Sequence, residues 1–337
     1  MTQLVSLADA AALAREALPA YGIAASTPLR LLKNRENFVF ALAHAGTEYV
    51  LRVHRRGYHS DSELACELEF VEALSSEGGA VPSFGRTQDD RTFCLVGEGE
   101  PAGVHQVDLQ LLLENHGNFG DERTAFDGTA ELDPADFAEL GGLAARAHSA
   151  AERSDFTLGV PRQNWDAAGL VGERPVWGDP LRLPELAGQD RADVQAAISR
   201  VAEVLAAYGR RPERYGPIHS DLTPENILRT DAGLVLIDFD DFAEGWHLFD
   251  LATAIYFFTP HPRYVEYREA LFAGYEAIRP LDEADRTAFA AILLARGLTY
   301  LGWAADRRGE EAAEFHAVTV LPQVVRLARE LLAQPAT

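Results

Sequence analysis

The stretch from Ile218 to Asp241, IHSDLTPENILRTDAGLVLIDFDD, sets five aspartates, one histidine and one asparagine beside two apolar runs that read as buried strands. Taking an unpaired carboxylate out of water costs several kcal/mol. A fold that buries these strands must therefore leave the acids in solvent or give them a shared cation. Asp221 and Asn226 lie five residues apart on a short loop, and Asp238 ends the next apolar strand. If loop and hairpin fold together, the three converge on one point. Oxygen-only donors suit magnesium, which keeps waters and binds through one or two carboxylates plus phosphate oxygens; zinc is poorly served. In that arrangement Asn226 and Asp238 hold the metal. Asp221, free of it, orients a substrate hydroxyl and accepts its proton late in a loose phosphoryl-transfer transition state. Taken singly, SDLTPEN also reads as a helix-capping box and IDFDD as a solvated turn. Together, their order and spacing favour the magnesium site.

The rest of the chain supplies two different contexts. Leu7 to Leu18 has helical spacing and stops at Gly22. Three strand patterns follow, TPLRLLKN, NFVFALAHA and EYVLRVHR, separated by turns at Asn34-Arg35-Glu36 and Ala45-Gly46. From Asp61 the period becomes helical, with Leu64, Leu68, Val71 and Leu74 on one face, a cap at Ser60 or Asp61 and a stop at Gly78-Gly79. VPSFGRT and RTFCLVG read as two more strands around an Asp89-Asp90 turn. The expectation is an α+β chain with a five-stranded antiparallel N-lobe carrying one inserted helix (1–96), a linker (97–107) and a mostly helical C-lobe (108–337). A length of 337 residues suits two lobes.

A net charge of -22 repels nucleic acid and anionic membranes and attracts cationic ligands, though acidity also serves solubility alone. Nine acids against one arginine between Val107 and Leu140 read as a solvated face or as an acidic lip for a cationic ligand. Cys66 and Cys94 sit in apolar patterns without metal-binding spacing and read as core residues. The N-terminal segment lacks a basic signal region, and no run of about 18 apolar residues is visible. These features lead us to expect a soluble, cytoplasmic protein.

IHSDLTPENIL followed by LVLIDFDD resembles the catalytic loop and metal motif of the aminoglycoside phosphotransferase superfamily, whose fold is protein-kinase-like. LGGLAARAH, NWDAAGLVGERPVWGDPL, GWHLFDLATAIYFF and LLARGLTYLGWAADR resemble the branch that contains the bacterial stress response kinase. Type II homoserine kinases and hydroxylysine kinases are more distant relatives, and the resemblance runs from about Leu29 to Arg308. It implies that Asp221 is catalytic, that Asn226 and Asp238 bind magnesium, that His219 braces the loop and that Asp240 supports the metal. In the N-lobe it implies a phosphate-covering turn in KNRENFVFAL with Asn34 and Asn37, and a strand cation, Arg52, paired with Glu67. A purine slot falls near Phe93 to Gly97, Phe93 and Leu95 included.

Two departures stand out. Arg52 occupies a position that is usually lysine, and a planar guanidinium is not a neutral exchange. Ser220 replaces the usual glycine, which requires a negative φ or compensated strain. The resemblance implies ATP as donor, with GTP open, and a hydroxyl-bearing acceptor. That acceptor is either a protein Ser/Thr or a small molecule such as an aminoglycoside, amino alcohol or homoserine. A nucleotide-binding pseudokinase scaffold is the alternative from another class.

Overall fold

The computed structural model describes residues 6–34, 37–97, 103–154, 156, 159 and 162–335. The chain divides into two compact units. The first joins Met1–His116 with Arg153–Pro161 and Arg229–Asp240, and the second joins Gly117–Glu152, Arg162–Leu228 and Asp241–Thr337.

In the first unit, helix α1 (Leu7–Ala17) starts at a Ser6 cap whose hydroxyl accepts from the Asp9 amide. It covers an antiparallel sheet of six strands: β1 (Arg30–Asn34), β2 (Phe38–His44), β3 (Thr47–Val53), β4 (Phe84–Gly85), β5 (Phe93–Val96) and β6 (His105–Leu111). The order is β1-β2-β3-β6-β4, with β5 also paired to β6. Ala10, Leu13, Ala14 and Ala17 of α1 pack on Phe40, Leu51, Val53, Val107 and Leu109, and each large side chain so buried contributes about 1.5–3 kcal/mol. Helix α2 (Asp61–Ser76) begins with a reciprocal capping box between Ser60 and Glu63 and buries Leu64, Leu68, Val71 and Leu74 on one face.

The expected sheet had five strands and a linker at 97–107. The sixth strand, β6, begins inside that linker at His105 and lies between β3 and β4. Its composition hid it because both faces are buried. Val107 and Leu109 face the α1 core, while the buried Gln106 and Asp108 bond Asp61 and Arg52, so the strand shows little solvated face.

The second unit is helical: α3 (Glu122–Asp127), α4 (Pro134–Arg153), α5 (Ala167–Val171) and α6 (Gly188–Tyr208) precede the strand β7 (Tyr215–Ile218). A hairpin, β8 (Ile227–Thr230) and β9 (Gly233–Leu236), carries the chain into the first unit. Strand β10 (Ala243–Trp246) returns to pair with β7, Ile218 opposite Ala243. Helices α7 (His247–Tyr256), α8 (Tyr264–Glu276), α9 (Glu283–Asp306), α10 (Glu311–Phe315) and α11 (Leu321–Leu332) follow. All ten residues of α7 are buried, as expected of a helix at the centre of a bundle. Helix α9 is long and apolar enough to cross a bilayer by composition, but 83% of its apolar window is buried among its neighbours. Several residues of the acidic run serve locally: Asp121 caps α3, Asp133 and Asp136 bond the backbone at the start of α4, and Asp108 is fully buried.

Phe137 anchors this bundle, stacked on Tyr267 at 4.3 Å and edge-on to Phe119 and Phe258. Phe137→Ala is expected to lower unfolding stability by about 3–5 kcal/mol in a urea titration, with Phe137→Leu recovering part of the loss.

Candidate active site

In the first unit one buried cation organises the polar face of the sheet. Arg52 on β3 is 7% exposed and directs each nitrogen at a carboxylate. Nε donates to Asp108 at 2.9 Å, Nη2 donates to Glu67 of α2 at 3.1 Å, and Nη1 stands 3.6 Å from Asp240. His54 adds a 2.6 Å contact to Asp108. Burial works against the charge of Arg52, but Asp108, Glu67 and Asp240 outweigh it and raise its pKa. Burial likewise pushes Asp108 and Asp240 up, and Arg52 reverses the shift, so both lie below the usual carboxylate range. Each close pair is worth about 4 kcal/mol of attraction near a protein surface, offset by desolvation of both ions.

His59, Glu67 and Asp240 offer ligand atoms within 4.8 Å of one another. Asn37 is turned inward, where Nδ2 donates to Asp240 at 2.8 Å and Oδ1 accepts from the Arg55 amide. Asn34 ends β1, exposed and paired with Phe38; the Arg35-Glu36 turn lies outside the described residues. Lys33 is more exposed and stands 3.9 Å from Asp238, which adopts a left-handed backbone at φ 67°. Phe93 and Leu95 lie on β5, the first half-buried and the second 48% exposed.

In the second unit β7 delivers His219, Ser220 and Asp221, and a short turn at Pro224–Asn226 follows. Ser220 has φ 71°, a conformation costing roughly 1–2 kcal/mol for a residue with a side chain. Asp250 of α7 compensates: its carboxylate accepts from the His219 and Ser220 amides at 2.9 and 2.8 Å. His148 of α4 bonds the same carboxylate at 2.9 Å and stacks on His247 at 4.4 Å. Burial would raise Asp250, but His148, His219 and the loop amide hold it below its ordinary value. His219 braces the turn, its Nδ1 accepting from the Asp221 amide at 3.3 Å.

The Asp221 carboxylate is held at both oxygens. Asn226 Nδ2 donates to Oδ2 and to the Asp221 carbonyl, both at 2.9 Å. Arg296 Nη2 of α9 donates to Oδ1 at 2.5 Å. The guanidinium of Arg296 is 0% exposed and lies over the rings of Trp177 and Tyr300 at 4.6 and 4.2 Å. Behind Tyr300, His316 stacks at 4.8 Å from a π-helical turn, and burial pushes its pKa down to about 3.

Of the residues singled out by sequence, the structure therefore groups Arg52, Glu67, Asn37 and Asp240 in one unit and His219, Asp221 and Asn226 in the other. Sequence reasoning missed Asp108, Asp250 and Arg296. The first was absorbed into the acidic run, and the other two sit inside helical patterns whose apolar spacing draws the eye. A buried charge in such a pattern is the signal that could have marked them.

Two outcomes follow from this geometry. Ser220→Gly removes the left-handed strain and a buried hydroxyl that has no hydrogen-bond partner among the described residues. Offset by glycine's larger unfolded-state entropy, it should stabilise the protein by about 1 kcal/mol, read as a higher melting temperature. Asp108→Asn should destabilise at pH 7, because Arg52 loses its most buried partner. The folded pKa of Asp108 lies below an unfolded value of about 3.9, so its contribution is complete above that value and is lost as pH falls through the folded pKa. The stability gap between parent and variant should stay constant from neutral pH to about pH 5 and shrink below about pH 4.

The model of the phosphotransferase enzyme family matches residues 29–289. An uncharacterized protein of Deinococcus radiodurans is 28% identical over 85% of this chain and 79% of its own length. A homoserine kinase of Gluconacetobacter diazotrophicus is 26% identical over 85% of this chain and 83% of its own length. Among solved structures, the microcompartment-associated aminopropanol kinase superposes with a TM-score of 0.81 at 27% identity, covering 95% of this chain and 97% of that one. The antiparallel N-terminal sheet and helical remainder are thus a protein-kinase-like fold, and the chain belongs to the phosphotransferase enzyme family as a kinase of alcohol groups.

Proposed function

We propose that this kinase transfers the γ-phosphoryl group of ATP, with Mg2+, to the hydroxyl of a short amino alcohol or hydroxy amino acid. The observation that carries the reading is Asp221, whose carboxylate is fixed at one oxygen by Asn226 and at the other by Arg296. A carboxylate so held keeps lone pairs for one more donor, the acceptor hydroxyl. The acceptor class is supported by the aminopropanol kinase and the homoserine kinase, whose named substrates both carry a hydroxyl and an amine on a short chain. The charge of -22 favours approach of an amino-alcohol cation and is neutral toward a zwitterionic hydroxy amino acid.

Each donor is of the oxygen type that magnesium takes. Both bonds of Asn226 use Nδ2, which leaves its Oδ1 as a ligand, and Asp238 supplies a carboxylate at a strained strand end. Asn226 and Asp238 would each offer the ion an oxygen donor, and the ion would neutralise charge on the phosphates. Asp221 orients the acceptor hydroxyl and takes its proton as the new O–P bond forms and the bond from phosphorus to the bridging oxygen breaks, releasing ADP. Arg52 is the hub that keeps α2 and Asp240 in place and retains N–H groups for phosphate, while Lys33 is the more exposed cation. Reliance on ATP is consistent with a cytoplasmic site of action.

Labelled ATP and Mg2+ supplied with aminopropanol, homoserine, choline, an aminoglycoside and a generic protein substrate test the reading. Label should enter an amino alcohol or homoserine, and Asp221→Asn should lower kcat by roughly 10²–10⁴-fold. Label entering only protein would move the acceptor to Ser/Thr, and unchanged turnover in Asp221→Asn would remove the aspartate from its role.

A further inference from the structure

Arg296 is an expensive residue where it stands. It lies in the middle of α9 among Leu294, Ala295, Leu298 and Leu301, all buried, and is itself 0% exposed. Burying an ion pair costs several kcal/mol per ion before its attraction is counted, and an apolar group of similar volume often serves stability as well or better. A purely structural role therefore explains its presence poorly. Its contacts point elsewhere: Nη2 meets Asp221 Oδ1 at 2.5 Å and Nη1 meets the Ser220 carbonyl at 3.4 Å. The same side chain thus grips both the left-handed residue and the aspartate that follows it.

The guanidinium is itself clamped. Tyr300, one turn along α9, covers one of its ring contacts, and Trp177 covers another. Trp177 reaches this position because Gly178 adopts φ 100° and approaches α9 so closely that a Cβ on Gly302 would collide with the Gly178 carbonyl. The Trp177 indole N–H is anchored on Asp241 Oδ1 at 3.4 Å. With two aromatic rings within 4.6 Å of its centre and both donors engaged, the guanidinium has little room to turn.

We propose that Arg296 is a positioning residue for phosphoryl transfer: clamped by Trp177 and Tyr300, it locks the Asp221 carboxylate in the one orientation that leaves its open lone pairs for the acceptor hydroxyl. The proposal rests on the reading of Asp221 as the group that orients the acceptor. Asn226 fixes the other oxygen, so the two donors act from different elements, one local in sequence and one from a helix 75 residues away. Losing Arg296 leaves Asp221 present but free to rotate.

The test measures kcat and KM for Arg296→Ala, Arg296→Lys and Trp177→Leu, each alone and combined with Asp221→Asn, with ATP and aminopropanol, and follows melting temperature and ATP affinity alongside. Hydrolysis of ATP by water serves as the readout if aminopropanol is not the acceptor. Arg296→Ala should lower kcat by about 10²-fold with KM for ATP changed by less than about threefold, and Arg296→Lys should recover part of it. Millimolar guanidinium should restore turnover to Arg296→Ala but not to Asp221→Asn. On the Asp221→Asn background the Arg296 change should cost nothing further, because both act through one carboxylate. Trp177→Leu, at a half-buried position, should show the same pattern with a smaller loss, and it keeps the test decisive if Arg296→Ala fails to fold. Full additivity of the two changes, or parent kcat in a folded Arg296→Ala or Trp177→Leu, would overturn the proposal. Parent kcat in Asp221→Asn, where Arg296 is intact, would overturn the reading beneath it instead.

Discussion

The charge of Arg52, held out of water by three carboxylates, is the constraint on which the first unit depends. A lone guanidinium could not be buried at that depth, and neither could any of Glu67, Asp108 or Asp240. Each acid comes from a different part of the chain: α2, β6 and the segment after β9. Satisfying one charge therefore fixes the helix against the sheet, the sheet's sixth strand in register, and the end of the carboxylate-rich stretch. Lysine, with a single point charge on a flexible stem, could not face three partners at once, which gives a physical reason for arginine here.

The second unit solves the opposite problem with an anion. Asp250 gathers two consecutive backbone amides and His148, and in doing so holds Ser220 in a conformation that its Cβ disfavours. The arrangement resembles an anion nest, with the protein's own carboxylate as the anion. The strain is stored one residue before Asp221, and the fully buried helix α7 that supplies Asp250 cannot shift without opening the core. Precision at the loop is thus inherited from packing.

Much of this was legible from local spacing. Asp221 and Asn226 are five residues apart, the cap expected at Ser60 or Asp61 falls at Ser60, and EYVLRVHR forms the strand its pattern suggests. What escaped is what the chain joins from afar. Asp108 meets Arg52 across 56 residues, Asp250 meets Ser220 across 30, and Arg296 meets Asp221 across 75. Nothing in a single sequence marks such partners except a charge placed where burial is expected. Strand β6 was missed for the same reason, since its polar residues look solvated until their partners are known. The resemblance located the fold and the loop, whereas the charge hub and the clamp on Asp221 came from three-dimensional placement.

Arg296, Gly297 and Tyr300 share a single helix, and their jobs differ. Arg296 holds Asp221, Tyr300 lies under the guanidinium, and Gly297 lets α9 approach the Tyr256 ring so closely that a Cβ would clash with its hydroxyl. The phase of α9 therefore acts as a ruler for the whole unit. A single inserted or deleted residue within the helix turns everything beyond it by about 100°, so the aromatic support would leave the guanidinium while the glycine gap left the tyrosine. Length changes in this chain should accumulate in surface turns and be absent between Arg296 and Gly302, a stretch whose register serves core packing and the hold on Asp221 at once.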